Sequence, residues 1–256
     1  MKVLMSILVS LCSGFLAFAD TSEAESPRDA DELMSDVIAH LPALPLLITG
    51  ELHVRRPRGV SVRDLKFEML VNWGTYPASA SYAIKDKKNR LLEELTVMRA
   101  KGAVPVFSRT AGDPPKEVAV GDLFAPVQET DLSWMDLTLS FLWWTGGKLV
   151  GEEKIKGRPA FVVDVPAPVG EAKPQYASVR LWIDVAARML LQAEGRSADG
   201  TIVRRLWIKS FKKVNEMWMI KDLEVQHYPV LHRTKLRVHE VSEAGELINY
   251  ESNAEH

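Results

Sequence analysis

The sequence predicts a mainly β protein of the α+β kind: a strongly curved antiparallel sheet, or incomplete β-barrel, of about ten strands with helices plugging the concave side. Three observations carry that expectation. Runs that alternate apolar and polar residues fill most of the chain, short turn signals separate them, and two apolar helical segments interrupt them at separate places.

The clearest run lies between Val179 and Val225. In Val179–Asp184 the apolar Val179, Leu181 and Ile183 share one face, because successive side chains of a strand point to opposite sides, and Arg180 and Asp184 take the other. The Met189–Glu194 segment follows, then Ser197-Ala198-Asp199-Gly200, a strong hairpin signal. A second hairpin joins Ile202–Lys213 through Val214-Asn215-Glu216 to Met217–Val225. The unit reads as a meander with one apolar and one wet face.

Earlier in the chain, Leu33, Val37 and Leu41 stand at helical spacing, so Ala30–Leu41 is expected to form an amphipathic helix closed by Pro42. From Leu46 the period changes to two. Leu46, Ile48, Leu52 and Val54 alternate with polar residues, as do Leu65, Phe67, Met69, Val71 and Trp73, giving two adjacent strands. Ala80–Asp86 and Leu91–Met98 continue the pattern around Lys87-Lys88-Asn89. Lys101–Pro126, rich in Gly and Pro, holds at most short extended pieces.

A helix is expected from Asp131 through Trp144, with Thr130 or Asp131 as its N-cap. Its second half is apolar nearly all round and must be covered by the concave face of the sheet. Gly146-Gly147 ends it. Lys148–Ile155 and Ala160–Val165 form a further hairpin, and Arg233–Val241 a last strand. An outer-membrane barrel is excluded as a reading, since such barrels are apolar outside and polar inside.

Composition narrows the function classes. With 256 residues, 46% of them hydrophobic, there is material for one sizeable core. A net charge of −2 and a pI near 6.3 argue against nucleic acid as a partner. The first residues point to secretion: Lys2, an apolar run from Val3 to Phe18, and Ala17-Phe18-Ala19, after which a signal peptidase would cut between Ala19 and Asp20. The apolar run is short for a membrane span. The expected organisation is a signal peptide over 1–19, a leader and N-terminal helix over 20–45, a sheet domain over 46–245 and an unpatterned tail over 246–256. Cys12, the one cysteine, lies in the leader and follows Leu11 rather than the small residue a lipid-attachment site requires. The processed chain would therefore contain neither disulfides nor thiolates.

No chemical motif appears. There is no Gly-x-Ser-x-Gly, no phosphate loop around Gly146-Gly147-Lys148 and no His-Glu-x-x-His. His227, His232 and His239 are the best metal candidates, yet His227 and His232 need not share a face, and solvated histidines explain them better. Asp131 and Asp136 stand five apart and point in different directions. The expectation is a protein that is not an enzyme and needs no cofactor or metal. What stands out is a surplus of large adaptable side chains, among them Met69, Trp73, Trp134, Phe141, Trp143, Met189, Met217, Trp218 and Met219, which suits a roomy apolar interior.

Several stretches resemble one family. Asp131–Leu137 (DLSWMDL), Gly157–Val163 (GRPAFVV), Tyr176–Asp184 (YASVRLWID), Trp218-Met219-Ile220 and Thr234 follow the order and spacing of the outer membrane lipoprotein-sorting proteins of the LolA-like superfamily, over about Leu46–Val241. The resemblance implies a soluble periplasmic half-barrel whose hollow takes up acyl chains of lipoproteins or other lipids. Those chains would enter between the sheet and the Asp131–Trp144 helix, for transfer towards the outer membrane. It also allows an inner-membrane export complex and an outer-membrane receptor as protein partners. The other reading is a periplasmic sensor of the same fold that binds a partner protein's segment. The expected cavity lining is Phe67, Met69, Val71, Trp134, Leu137, Phe141, Leu181, Ile183, Leu206 and Ile208.

Overall fold

The computed structural model describes residues 27–56, 60–170, 176–214, 217–229 and 232–244. The expected signal peptide, its cleavage site at Ala19 and Asp20, and the tail after 246 lie outside the described residues.

Helix α1 (Ala30–Ala39) starts at Asp29, whose carboxylate accepts from the Glu32 amide at 2.9 Å. Asp31 and Glu32 occupy the first turn, where the helix dipole favours negative charge. Its apolar stripe, Ala30, Leu33, Met34 and Val37, is buried.

Among the described residues thirteen strands make one open antiparallel sheet: β1 (Leu46–Arg55), β2 (Ser61–Asn72), β3 (Ala78–Lys85), β4 (Leu91–Arg99), β5 (Val106–Ala111), β6 (Lys116–Val118), β7 (Lys148–Ile155), β8 (Arg158–Pro166), β9 (Ser178–Asp184), β10 (Leu190–Arg196), β11 (Ile202–Val214), β12 (Met217–His227) and β13 (Arg233–Glu243). Their order is β6-β5-β4-β3-β2-β1-β13-β12-β11-β10-β9-β8-β7. The chain therefore starts in the middle, runs outward to β6, crosses to β7 at the other edge, and returns until β13 pairs with β1. The count exceeds the expected ten because the Gly- and Pro-rich stretch supplies two short strands, β5 and β6.

Register follows the hydrophobic pattern. β1 buries Leu46, Ile48, Leu52 and Val54, with Leu46 opposite Val71 on β2 and opposite Glu243 on β13. The β10–β11 turn has Gly200 at φ +85°, a left-handed conformation that glycine adopts at little cost. Asp199 accepts there from the Thr201 amide at 3.0 Å. β12 and β13 pair over a shorter span than their neighbours, from Gln226 opposite Arg233 to Asp222 opposite Arg237.

A single core cluster joins inward residues of β1–β4 and β8–β13 to α1 and the crossing segment, so the sheet wraps round its helices. The outer face is not uniformly wet. Ala160, Val162, Trp182 and Leu191 form a second buried cluster there, with the Trp182 indole donating to Glu153 at 2.9 Å.

The expected helix from Asp131 to Trp144 is two short pieces. Helix α2 (Trp134–Leu137) ends at Thr138, Leu139 turns left-handed at φ +47°, and a 3₁₀ turn covers Ser140–Trp143. A segment apolar nearly all round cannot bury every side of a straight helix against one sheet; the break at Leu139 lets Phe141 and Leu142 turn inward. Its cap is Ser133, not Thr130 or Asp131. Ser133 and Asp136 form a reciprocal capping box, while the Thr130 hydroxyl donates to the Val127 carbonyl and the Asp131 carboxylate accepts from Thr234.

Candidate functional site: an apolar cavity beneath the crossing segment

Two arginines on opposite halves of the sheet hold the crossing segment down. Arg204 on β11 is buried. Its guanidinium donates to the Asp136 carboxylate at 2.5 Å and to the Asp131 carbonyl at 2.6 Å. Asp136 also accepts from the Ser133 amide and hydroxyl, both at 2.7 Å, so the charge is neutralised and its lone pairs are used. On the other half, Arg99 of β4 donates to the Ser140 hydroxyl at 2.7 Å and lies 4.2 Å above the Trp143 ring.

Beneath this segment lies a cavity of about 470 Å³. Its walls come from every layer: Val37 and Leu41 near the end of α1, Ile48, Met69, Val71 and Tyr82 from β1–β3, Leu137, Leu139, Leu142 and Trp143 from above, and Met219, Leu223, Leu236 and Val238 from β12 and β13. Polar groups are few: His40, Asp136, Thr138 and Arg188. Burial raises the Tyr82 phenol well above its usual range, so it stays a neutral hydroxyl in this wall. Such a lining can solvate hydrocarbon and offers little else.

Of the residues expected to line a cavity, Met69, Val71 and Leu137 border it. Phe67, Trp134, Phe141, Leu181, Ile183, Leu206 and Ile208 are buried in the core and do not border it. The empty space lies towards the end of the sheet where β1, β12 and the β9–β10 turn begin. Met189, Met217, Met219, Trp73, Trp143 and Trp218 also border it. Their signal in the sequence was bulk and adaptability rather than strand alternation.

A smaller cleft of about 230 Å³ lies on the far side of Arg204, between Pro126, Thr130, Asp131, His227 and His232. Partial desolvation, then the nearby Arg204 cation, hold the His227 pKa below its ordinary value. Burial raises that of Asp131, opposed by its hydrogen bond from Thr234. His239 lies elsewhere, 3.9 Å from Glu51. Among the described residues no group of three His, Cys, Asp or Glu side chains could hold a metal ion.

A family model described as an uncharacterized protein matches residues 112–247, more than half the chain. The chain belongs to that family. Its fold is LolA-like. It is similar to a DUF1329 family protein from Desulfovibrio piger (TM-score 0.70, 14% identity, 83% of this chain and 90% of that one). It is similar to an outer membrane lipoprotein-sorting protein domain from Vibrio parahaemolyticus (TM-score 0.71, 12% identity, 87% and 96%). A LolA superfamily protein from Nitrosomonas europaea is also similar (TM-score 0.62, 11% identity, 84% and 93%). At these identities the likeness is one of fold. A search of curated proteins finds no match. Among the described residues no helix is long and apolar enough to cross a membrane.

Proposed function

We propose that the protein is a periplasmic carrier, not an enzyme, which shields acyl chains of lipoproteins or other lipids during transfer towards the outer membrane. The observation that carries this reading is the apolar cavity of about 470 Å³ between the sheet and the crossing segment. Burying a methylene contributes about 0.8 kcal/mol without any charged or catalytic group. The Lys2–Ala19 leader supports export, and the LolA-like fold and the lipoprotein-sorting relative support this class of cargo. An inner-membrane export complex and an outer-membrane receptor would then be its protein partners.

The test is native mass spectrometry with lipid extraction of protein purified from the periplasm, alongside uptake of a fluorescent fatty acyl probe. Co-purifying lipid and saturable uptake are expected. Leu142→Trp, which places an indole into the cavity wall, should abolish uptake while the fold persists. Protein that is always empty and takes up no probe would overturn the reading.

A further inference from the structure

β12 and β13 are neighbours in the sheet, yet their pairing stops at Asp222 opposite Arg237. An extra residue sits at this level in each strand. The β11–β12 register passes from Ser210–Asp222 to Phe211–Ile220, leaving out Lys221. The β1–β13 register passes from Thr49–Glu240 to Gly50–Val238, leaving out His239. An unpaired extra residue bends its strand, and here the bends fall side by side. Beyond them β12 stays with β11 as far as Met217, and β13 stays with β1 as far as Glu243. The wall of the half-barrel therefore divides.

Both margins of this split line the cavity, Met217, Met219 and Ile220 on one side and Val238 on the other. Cations cluster at it. Lys212, opposite Met219, donates to the His239 carbonyl at 3.4 Å, and Lys221 stands next to Ile220. Burial and then the Lys221 charge lower the Lys212 pKa, while Glu240 is the acid that opposes them.

We propose that the cavity takes a single-chain anionic amphiphile, its tail passing through the split between β12 and β13 and its head held outside by Lys212 and Lys221. This rests on the carrier reading and narrows its cargo. Size decides the number of chains. A methylene fills roughly the 30 Å³ of a water molecule, so 470 Å³ holds about fifteen of them. One acyl chain fits; a triacylated lipoprotein anchor carries three. Four methionines on the walls, Met69, Met189, Met217 and Met219, let the lining follow a flexible chain. The head is a carboxylate or a phosphate, since both offer the negative charge the two lysines complement.

The test compares three ligands on the purified protein by native mass spectrometry and calorimetry: tetradecanoate, dodecyltrimethylammonium and a tripalmitoylated peptide. Tetradecanoate is expected to bind one to one, with the cationic amphiphile weaker. Lys212→Glu with Lys221→Glu should weaken tetradecanoate about tenfold and strengthen dodecyltrimethylammonium. A fatty acid carrying a photoreactive group beside its carboxylate should label residues 217–221 and 238–241. Labelling of Leu41 and Trp73 instead, or unchanged head preference in the double variant, overturns the proposal. Tight binding of the tripalmitoylated peptide with all three chains shielded overturns it too, yet leaves the carrier reading standing. If none of the three ligands binds, both fail. Replacing tetradecanoate with a lysophospholipid of equal chain length identifies which anionic head is preferred.

Discussion

Replacing Arg204 with Met should cost a large part of the stability of this chain. Arg204 is 6% exposed and Asp136 2% exposed, so removing the guanidinium leaves a carboxylate in a nearly dry site. Breaking such a pair from one side typically costs 3–5 kcal/mol. Asp136 keeps two donors from Ser133, which places the expected loss at the lower end, and the lost bond to the Asp131 carbonyl adds about 1 kcal/mol. The sum is about 4 kcal/mol. In a chain of this size each kcal/mol moves the melting temperature by roughly 2–4 °C, so a fall of about 8–16 °C is expected. Differential scanning calorimetry with urea titration measures it. Arg204→Met combined with Asp136→Asn removes both charges while an amide oxygen can still accept from Ser133, and should recover most of the loss. A single variant that loses less than about 1 kcal/mol, or a double variant no better than the single, would refute the view that this pair fastens the crossing segment.

Further outcomes follow from other sites. Gly195→Ala should destabilise by about 1–3 kcal/mol, because an added Cβ would lie 2.2 Å from the buried Tyr176 ring; equilibrium unfolding reports it. His227, whose folded pKa lies below its unfolded value, takes up a proton more readily when unfolded, so stability should fall as pH drops through about 6.5. His227→Gln should flatten that part of a melting-temperature profile between pH 7.5 and 5.5; an unchanged slope places the titration elsewhere. Leu142→Trp should block acyl-probe uptake without lowering the melting temperature, since its indole fills the hollow rather than opening space.

Alternation made the sheet legible: β1–β4 and β8–β13 stand within a few residues of their apolar–polar runs because one buried face fixes register. β5 and β6 were not legible, since neither shows a buried face: β6 is wholly exposed and β5 buries none of its side chains. The break at Leu139 left no local mark either. No glycine or proline stands there, and the left-handed residue is imposed by the need to bury Phe141 and Leu142 on a common side. The cavity was legible as a property and not as a set of positions. Strand alternation identifies which residues face inward, but Leu181 and Trp182 obey it equally on two faces, and nothing in it distinguishes a side chain that touches another from one that touches space. That distinction depends on where the crossing segment lies, and therefore on Arg204 and Arg99, whose partners are 41 and more residues away along the chain.

The size of the cavity also bounds how tightly a carrier of this kind can hold its cargo. About fifteen methylenes at about 0.8 kcal/mol each give roughly 12 kcal/mol of gross transfer energy. Association and the ordering of a flexible chain cost about 4 kcal/mol or more. What remains from the chain is about 8 kcal/mol at most, a dissociation constant of about 1 μM before any contribution of the head. A packed core in the same place would be more stable and would bind nothing. A larger hollow would hold more chains but release them slowly. The close-packed half around Phe141, Leu181 and Leu206 supplies stability, while the hollow half around Met69, Met217 and Met219 stays deformable. Filling the hollow with larger apolar residues should therefore raise the melting temperature and remove binding together, and a variant that gains stability while keeping its affinity would show that the cavity is not where the cargo sits.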